Sequence, residues 1–561
     1  MTPRARQHHA TDTVAQGPVA AAPRMAARRE LVSPLIGRGA DPDDAVRRRL
    51  VHTVGDRQAV LLELNLAYGN GAEASRSDFL RLFGATFADP PTAPPAPVPI
   101  ATHYLRCLLS PDEIARLVDA DGASRLADPS DLAASATARV AVHPNRGRTI
   151  YRVWPDYIVR SHLDRSVSTI KGDAAVRTYG TTGAGIVWAV IDSGVDAQHP
   201  HFAGGNLSDP AVASLHRDFT GLIAVAESPS RSGTDSDPNG DSGQSGAFTP
   251  VPDDPASALT DAFGHGTHVA GIIAGSAPPD RDQIRVAADE PTAAGLPSWV
   301  QRDVADGHSL NGVAPDTRIV SLKVLDDSGH TLSSAVIAAL DYVRTVNADG
   351  RRLRIHGVNL SLGCEWVPEE YAAGQSPLCR ELDLLVGSGV VAVVSAGNGG
   401  AGGTLHGAST DVFGMLSTIT DPGNAEQAIT VGSTHRYRPH TFGITFDSGK
   451  GPTVDGRAKP DLVAPGERIT SAATGAMRAG IDVLDVDDPA KIGCYVEDRG
   501  TSMAAAHVSG AIAAFLSVRT EFIGEPQRVK ELFLANATSL GRHAFFQGAG
   551  LVDLMRVLSS C

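Results

Sequence analysis

The chain has 561 residues, 42% hydrophobic and 20% charged, with 58 Gly, 36 Pro and a formal net charge of −14. This is a soluble globular composition rich in turns and long enough for several domains. The negative balance excludes nucleic acid as the main partner, because phosphate binding relies on clustered cations.

No apolar run reaches the length of a membrane span, so no membrane partner is expected. In chain order, residues 1–55 are Arg- and Ala-rich without a sustained period and read as a mobile basic tail. No apolar stretch follows the basic first residues, and the five cysteines, Cys107, Cys364, Cys379, Cys494 and Cys561, do not resemble a disulfide scaffold. A cytoplasmic location is therefore expected over a secreted one, with Cys364 and Cys379 as free buried thiols. Residues 56–160 read as a small α+β domain. The pattern predicts a strand over 59–66, a helix over 78–83, an extended Pro-rich linker over 88–99 and a strand over 103–109. Ser110-Pro-Asp-Glu113 is a capping box that opens a helix to about residue 118. Extended segments at 149–154 and 157–159 complete this part.

From 161 to 561 the alternation of strands and helices predicts a mostly parallel sheet. Strands are expected at 185–191, 319–325, 358–362 and 390–395, and helices at 265–274, 333–346 and 502–517. Two stretches rich in Gly, Pro, Ser and Asp, 208–260 and 276–309, are expected as loop insertions.

Four short segments carry chemistry. They are Ala-Val-Ile-Asp192-Ser-Gly, Gly-His265-Gly-Thr-His-Val-Ala-Gly, Ser395-Ala-Gly-Asn398-Gly and Gly-Thr-Ser502-Met-Ala-Ala. A serine hydroxyl is a weak nucleophile at neutral pH and needs a base within hydrogen-bond reach. A histidine can take its proton and return it to the leaving amine, and a buried aspartate fixes the imidazole tautomer. An asparagine amide can stabilise the oxyanion beside a backbone N–H. Asp192 is assigned as orienter, His265 as general base and acid, Ser502 as nucleophile and Asn398 as oxyanion donor.

In the order Asp, His, Asn, Ser these motifs resemble the subtilisin-like serine protease family, over residues of about 167–558. The resemblance also covers Asn311-Gly-Val-Ala-Pro, Ser361-Leu-Gly, Lys459-Pro-Asp-Leu-Val-Ala-Pro-Gly and Gly548-Ala-Gly-Leu-Val-Asp. It implies a three-layer α/β catalytic domain over 161–561 and a serine endopeptidase acting through an acyl-enzyme, with no cofactor. It further implies two walls that hold an extended protein or peptide substrate, Ser361, Leu362 and Gly363 on one side and Ser395, Ala396 and Gly397 on the other. The depth of the pocket between them is expected to depend on residues 417–423. By the same resemblance the α+β domain at 56–160 is a ferredoxin-like propeptide. It would act as an intramolecular inhibitor, with self-cleavage near 158–162.

Other signals have plainer readings. His268, His507 and Asn359 lie inside elements and are expected to make structural hydrogen bonds. Asp235-Ser-Asp-Pro-Asn-Gly240 copies half a calcium loop but lacks the acidic twelfth position. His201 stands where the family commonly has an aspartate, so no essential metal is expected. Ala506 replaces a usual proline, which the first turns of a helix tolerate. A protease-like regulatory protein remains an alternative. A serine esterase does not fit, since the Gly-x-Ser-x-Gly elbow and the Ser, Asp, His order are missing.

Overall fold

In the computed structural model, strand Val187–Asp192 lies inside a ten-stranded sheet, third from one edge. The structure describes residues 32, 53–54, 56–66, 68, 71–88, 93–123, 148–156, 158–161, 166, 168–223, 255–291, 297–302, 310–365, 372–406 and 409–561. The basic tail, apart from its last residues, and the half calcium loop at 235–240 lie outside these.

Between this strand and the nearer edge come Arg318–Lys323 and then Arg217–Asp218. On its other side come Gly357–Leu360, Val391–Ser395, Ile429–His435, Leu462–Ala472, Gly493–Arg499, Ile284–Pro291 and Pro297–Gln301. All neighbours run parallel except the Leu462–Ala472/Gly493–Arg499 and Ile284–Pro291/Pro297–Gln301 pairs. From Val187 to Ile191 this strand is apolar because both its faces are covered. Val187, Ala189 and Ile191 pack toward helices Ser333–Val346 and Pro377–Gly387. Trp188 and Val190 pack on the opposite face with helices His265–Ile273, Thr501–Val518 and Pro526–Ala535. The result is the expected three-layer α/β arrangement.

Helix Thr501–Val518 has the length and mean hydropathy of a membrane span, which the reading of apolar runs passed over. It is instead the buried core helix of this domain, with Ala504 to Leu516 almost completely covered. Ala506 sits within it without a break.

The two insertions are not simply loops. Within 276–309 the chain forms the paired edge strands Ile284–Pro291 and Pro297–Gln301. Val286 packs with Tyr495, and Ala287 with Cys494 and Val496, so burial overrides the turn-rich composition. Within 208–260 the described ends carry strand Arg217–Asp218 and helix Pro255–Ala258.

Residues 53–155 carry a separate antiparallel sheet. Strand Arg57–Leu64 lies between Tyr104–Leu109 on one side and Ile150–Pro155 on the other, with Val98–Pro99 beyond Tyr104–Leu109. Helices Gly71–Thr86 and Pro111–Ala123 cover one face through Phe79, Phe83, Ile114 and Leu117. The capping box forms as expected: Glu113 N donates to Ser110 Oγ (3.3 Å) and Ser110 N to Glu113 Oε2 (2.8 Å). The other face, with Leu61, Tyr104 and Trp154, packs on the same core as helices Ser333–Val346 and Pro377–Gly387.

Polar groups reinforce this junction. Asp156 is fully buried and accepts from Ser333 Oγ (2.8 Å), Ser334 N (2.9 Å) and Arg106 Nε (2.7 Å). Its carboxylate thereby sits at the N-terminus of helix Ser333–Val346, where the helix dipole favours negative charge. Arg380 donates to Glu63 Oε1 (2.7 Å), and Trp154 Nε1 to Glu63 Oε2 (2.9 Å).

Candidate active site

Strand ends and helix starts place the four motif residues beyond the carboxyl edge of the sheet, where open α/β sheets carry their sites. Asp192 ends strand Val187–Asp192, and His265 is the first residue of its helix. Ser502 is the second residue of Thr501–Val518, and Asn398 follows strand Val391–Ser395.

Asp192, His265 and Ser502 are at most 1% exposed. His265 Nδ1 donates to Asp192 Oδ1 at 2.6 Å, and Ser193 N donates to the same oxygen at 2.8 Å. This close approach needs Gly266, since a Cβ there would collide with Gly194 O and lie 3.1 Å from Asp192 Cβ. The Ser502 hydroxyl is directed to Ser361 O (3.1 Å), so its proton is not shared with His265 in this arrangement. Ser361 is fixed in turn, since its Oγ donates to Ser502 O (2.9 Å) and accepts from Asn359 Nδ2 (2.8 Å). Asn359 Oδ1 accepts from Ser509 Oγ (2.8 Å).

Asn398 Oδ1 accepts from Thr501 N (2.9 Å) and Thr501 Oγ1 (3.0 Å). The amide is thereby oriented from its oxygen, leaving the Nδ2 donors for another partner. Gly397 N donates to Thr501 Oγ1 (3.1 Å), tying this loop to the start of the Ser502 helix.

Motif spacing did not reveal Asp261. It is buried and accepts from Ser193 Oγ (2.8 Å), Gly264 N (2.7 Å), Thr267 N (2.8 Å) and Thr267 Oγ1 (2.6 Å). Asp261 thus joins the residue after Asp192 to the first turn of the His265 helix, whose cap residue Gly264 has no side chain to do so. Burial pushes its carboxyl up to about 6 despite these donors. Its position four residues before His265 was the only sequence signal.

Leu362 and Gly363 present one strand edge, and His330–Leu332 another. Strand Ile158–Ser161 lies antiparallel between them. Arg160 is opposite both Gly363 and His330, and Ser161 is opposite Leu362. Ser395, Ala396 and Gly397 run from the end of strand Val391–Ser395 into the Asn398 loop, with Ala396 N bonded to Val431 O (3.0 Å). Both segments approach Thr420, because a Cβ on Gly363 or on Gly397 would lie 2.5 or 2.6 Å from Thr420 Oγ1. Within the 417–423 segment, Thr420 is therefore the side chain that fills the space between them.

His268 Nε2 lies 3.3 Å from Val496 O, and His507 Nδ1 lies 2.6 Å from Met503 O, both backbone contacts. His201 is fully buried with Nε2 3.1 Å from Gly271 O and Ala274 O, and burial pushes its imidazole down to about 3. It is a neutral internal staple at the end of the His265 helix. Cys364 and Cys379 are free and buried.

The fold and the site define an α/β enzyme of the serine-hydrolase type whose Asp, His and Ser occur in that chain order. The subtilase family, Peptidase_S8, matches residues 183–551, and the chain belongs to that family of serine-type endopeptidases. The serine protease AprX of Bacillus subtilis is 25% identical over 395 residues, covering 69% of each chain. Subtilisin of Bacillus pumilus is 26% identical, over 69% of this chain and 96% of that one. Pyrolysin of Pyrococcus furiosus is 30% identical over 53% of this chain, which spans only 21% of the pyrolysin length.

Proposed function

We propose that the protein hydrolyses peptide bonds with Ser502 as nucleophile, His265 as general base and acid, Asp192 as orienter and Asn398 as oxyanion donor. The observation that carries this reading is the 2.6 Å His265–Asp192 hydrogen bond at the start of one helix, with Ser502 at the start of another. On substrate binding the Ser502 hydroxyl turns from Ser361 O to His265 Nε2. Oγ then bonds to the scissile carbonyl carbon, its proton passes to His265, and the carbonyl electron pair moves onto oxygen. Asn398 Nδ2 and a backbone N–H stabilise that oxyanion, a contribution of about 3–4 kcal/mol for one such donor. When the C–N bond breaks, His265 gives its proton to the departing amine. Water repeats the sequence to release the acid. No cofactor takes part.

The substrate is an extended polypeptide whose backbone completes the sheet between Leu362–Gly363 and His330–Leu332. Ile158–Ser161 supports this, since it pairs with both edges as a substrate would. By the same reading the N-terminal unit is an intramolecular inhibitor, and self-cleavage falls immediately beyond Ser161.

A fluorophosphonate probe should label Ser502, while Ser502→Ala should abolish both labelling and casein cleavage. N-terminal sequencing should find a break beyond Ser161 in the wild type alone. Unlabelled wild type that leaves casein intact under activating conditions would refute the catalytic reading. A break in both proteins, or in neither, would refute self-processing.

A further inference from the structure

We propose that Lys450 is a positioning residue for the reaction, an internal cation that holds the Asn398 loop in register with the wall of the substrate pocket. The inference rests on the reading of Asn398 as oxyanion donor.

Lys450 is 5% exposed, and the hydrogen bonds of its ammonium go to the main chain. Nζ donates to three backbone carbonyls: Gly400 O at 2.8 Å, Phe446 O at 2.7 Å and Ser448 O at 3.1 Å. An ammonium has three donors, so the set is complete. Three converging carbonyls would otherwise repel one another and leave buried acceptors unpaired, and a buried ammonium without them would be costly. Burial lowers the Lys450 pKa while Asp447 opposes that shift.

The partners give this arrangement its meaning. Gly400 lies two residues beyond Asn398, and its N–H donates to Asp447 O (2.9 Å) while Gly449 N donates to Gly397 O (2.6 Å). Asn398 is thus bracketed by bonds to the 447–450 turn, and the Lys450 side chain closes the bracket from inside. A Cβ on Gly400 would collide with Ser448 O and Lys450 Nζ, so the two loops touch backbone to backbone. The Lys450 main chain reaches the other way. Its N–H donates to Thr418 Oγ1 (3.0 Å), and its carbonyl accepts from Thr418 N (2.8 Å), two residues before Thr420. One residue therefore spans the oxyanion loop and the pocket wall.

Displacement of an oxyanion donor weakens a bond that forms fully only in the transition state, so the loss should fall on kcat rather than KM. The test uses the full-length chain with Lys450→Met and Asn398→Ala, singly and together. Its readouts are the fluorophosphonate labelling rate of Ser502 and kcat and KM on labelled casein. Lys450→Met should lower the labelling rate and kcat on the order of 10- to 100-fold with KM little changed. In the Asn398→Ala background the same substitution should have little further effect. A wild-type labelling rate in Lys450→Met, or the same loss in both backgrounds, would overturn the inference. Asn398→Ala alone separates the two claims: a wild-type rate there sinks the oxyanion reading itself, and this inference with it. Should Lys450→Met not fold, Lys450→Arg carries the same cycle. It keeps the charge without three tetrahedral donors, and an equal loss in both backgrounds would again overturn the proposal.

Discussion

His103 of the N-terminal unit faces Glu381 of helix Pro377–Gly387, with Nε2 3.8 Å from Oε2 and both residues at most 6% exposed. The spacing suggests an ion pair, but the charge states do not. Burial, with the nearby charges of Arg344, Arg380 and Arg76, pushes His103 down from 6.5 to about 4. Burial also pushes Glu381 up from 4.5 to about 7, against the pull of Arg344 and Arg380 and with the help of Asp341 and Glu63. Both groups are therefore neutral between those values in the folded protein. Unfolding restores the ordinary values, so His103 contributes stability that rises with pH from about 4 to 6.5. Glu381 contributes stability that falls as pH rises from 4.5 to about 7. Each slope is about 1.4 kcal/mol per pH unit, and in their shared window they cancel.

Removing one partner exposes the other. Relative to its parent, His103→Gln should lose about 2 kcal/mol of stability between pH 5 and pH 6.5, and Glu381→Gln should gain about 2 kcal/mol. The parent is Ser502→Ala, which prevents self-digestion, and the assay is urea unfolding at the two pH values. Parallel pH profiles for all three proteins would refute the opposed neutral pair. A His103→Gln profile that rises with pH would refute it as well.

Two more outcomes follow from packing and capping. Thr420→Gly should open space between the walls, so peptide-library profiling should show a shift toward bulkier residues before the scissile bond; an unchanged profile would remove Thr420 from the pocket. Ser110→Ala breaks the capping box of Pro111–Ala123 and should cost about 1 kcal/mol in urea unfolding of the Ser502→Ala chain.

The site was legible in the sequence wherever its chemistry demands a residue type. Asp192, His265, Asn398 and Ser502 each stand at the end of a strand or the start of a helix, as their motifs implied. Helix Ser333–Val346 reads to the residue, because its apolar face keeps a helical period, whereas Gly71–Thr86 reads only over 78–83 and Pro377–Gly387 and Pro526–Ala535 do not read at all. What sequence could not give were contacts made at a distance. Asp261 reads as an ordinary turn aspartate until the fold brings Ser193 to it, and Lys450 looks like a surface lysine until three backbone carbonyls converge on it. The edge strands at 284–301 were hidden for a related reason. Their partner strand, Gly493–Arg499, comes some two hundred residues later, and only that pairing outweighs the local Gly and Pro.

The two short edges that flank Ile158–Ser161 have a consequence for the folding chain. An uncovered pair of parallel-facing β-edges is an invitation to any extended chain, including a second nascent copy of this one. Peptide that arrives from the same molecule competes at high effective concentration and occupies both edges before a neighbour can. Strand Ile158–Ser161 pairs with both edges and so leaves neither open to a second chain. A chain that lost it while still folding would present two unpaired strand edges side by side, the geometry that favours edge-to-edge association.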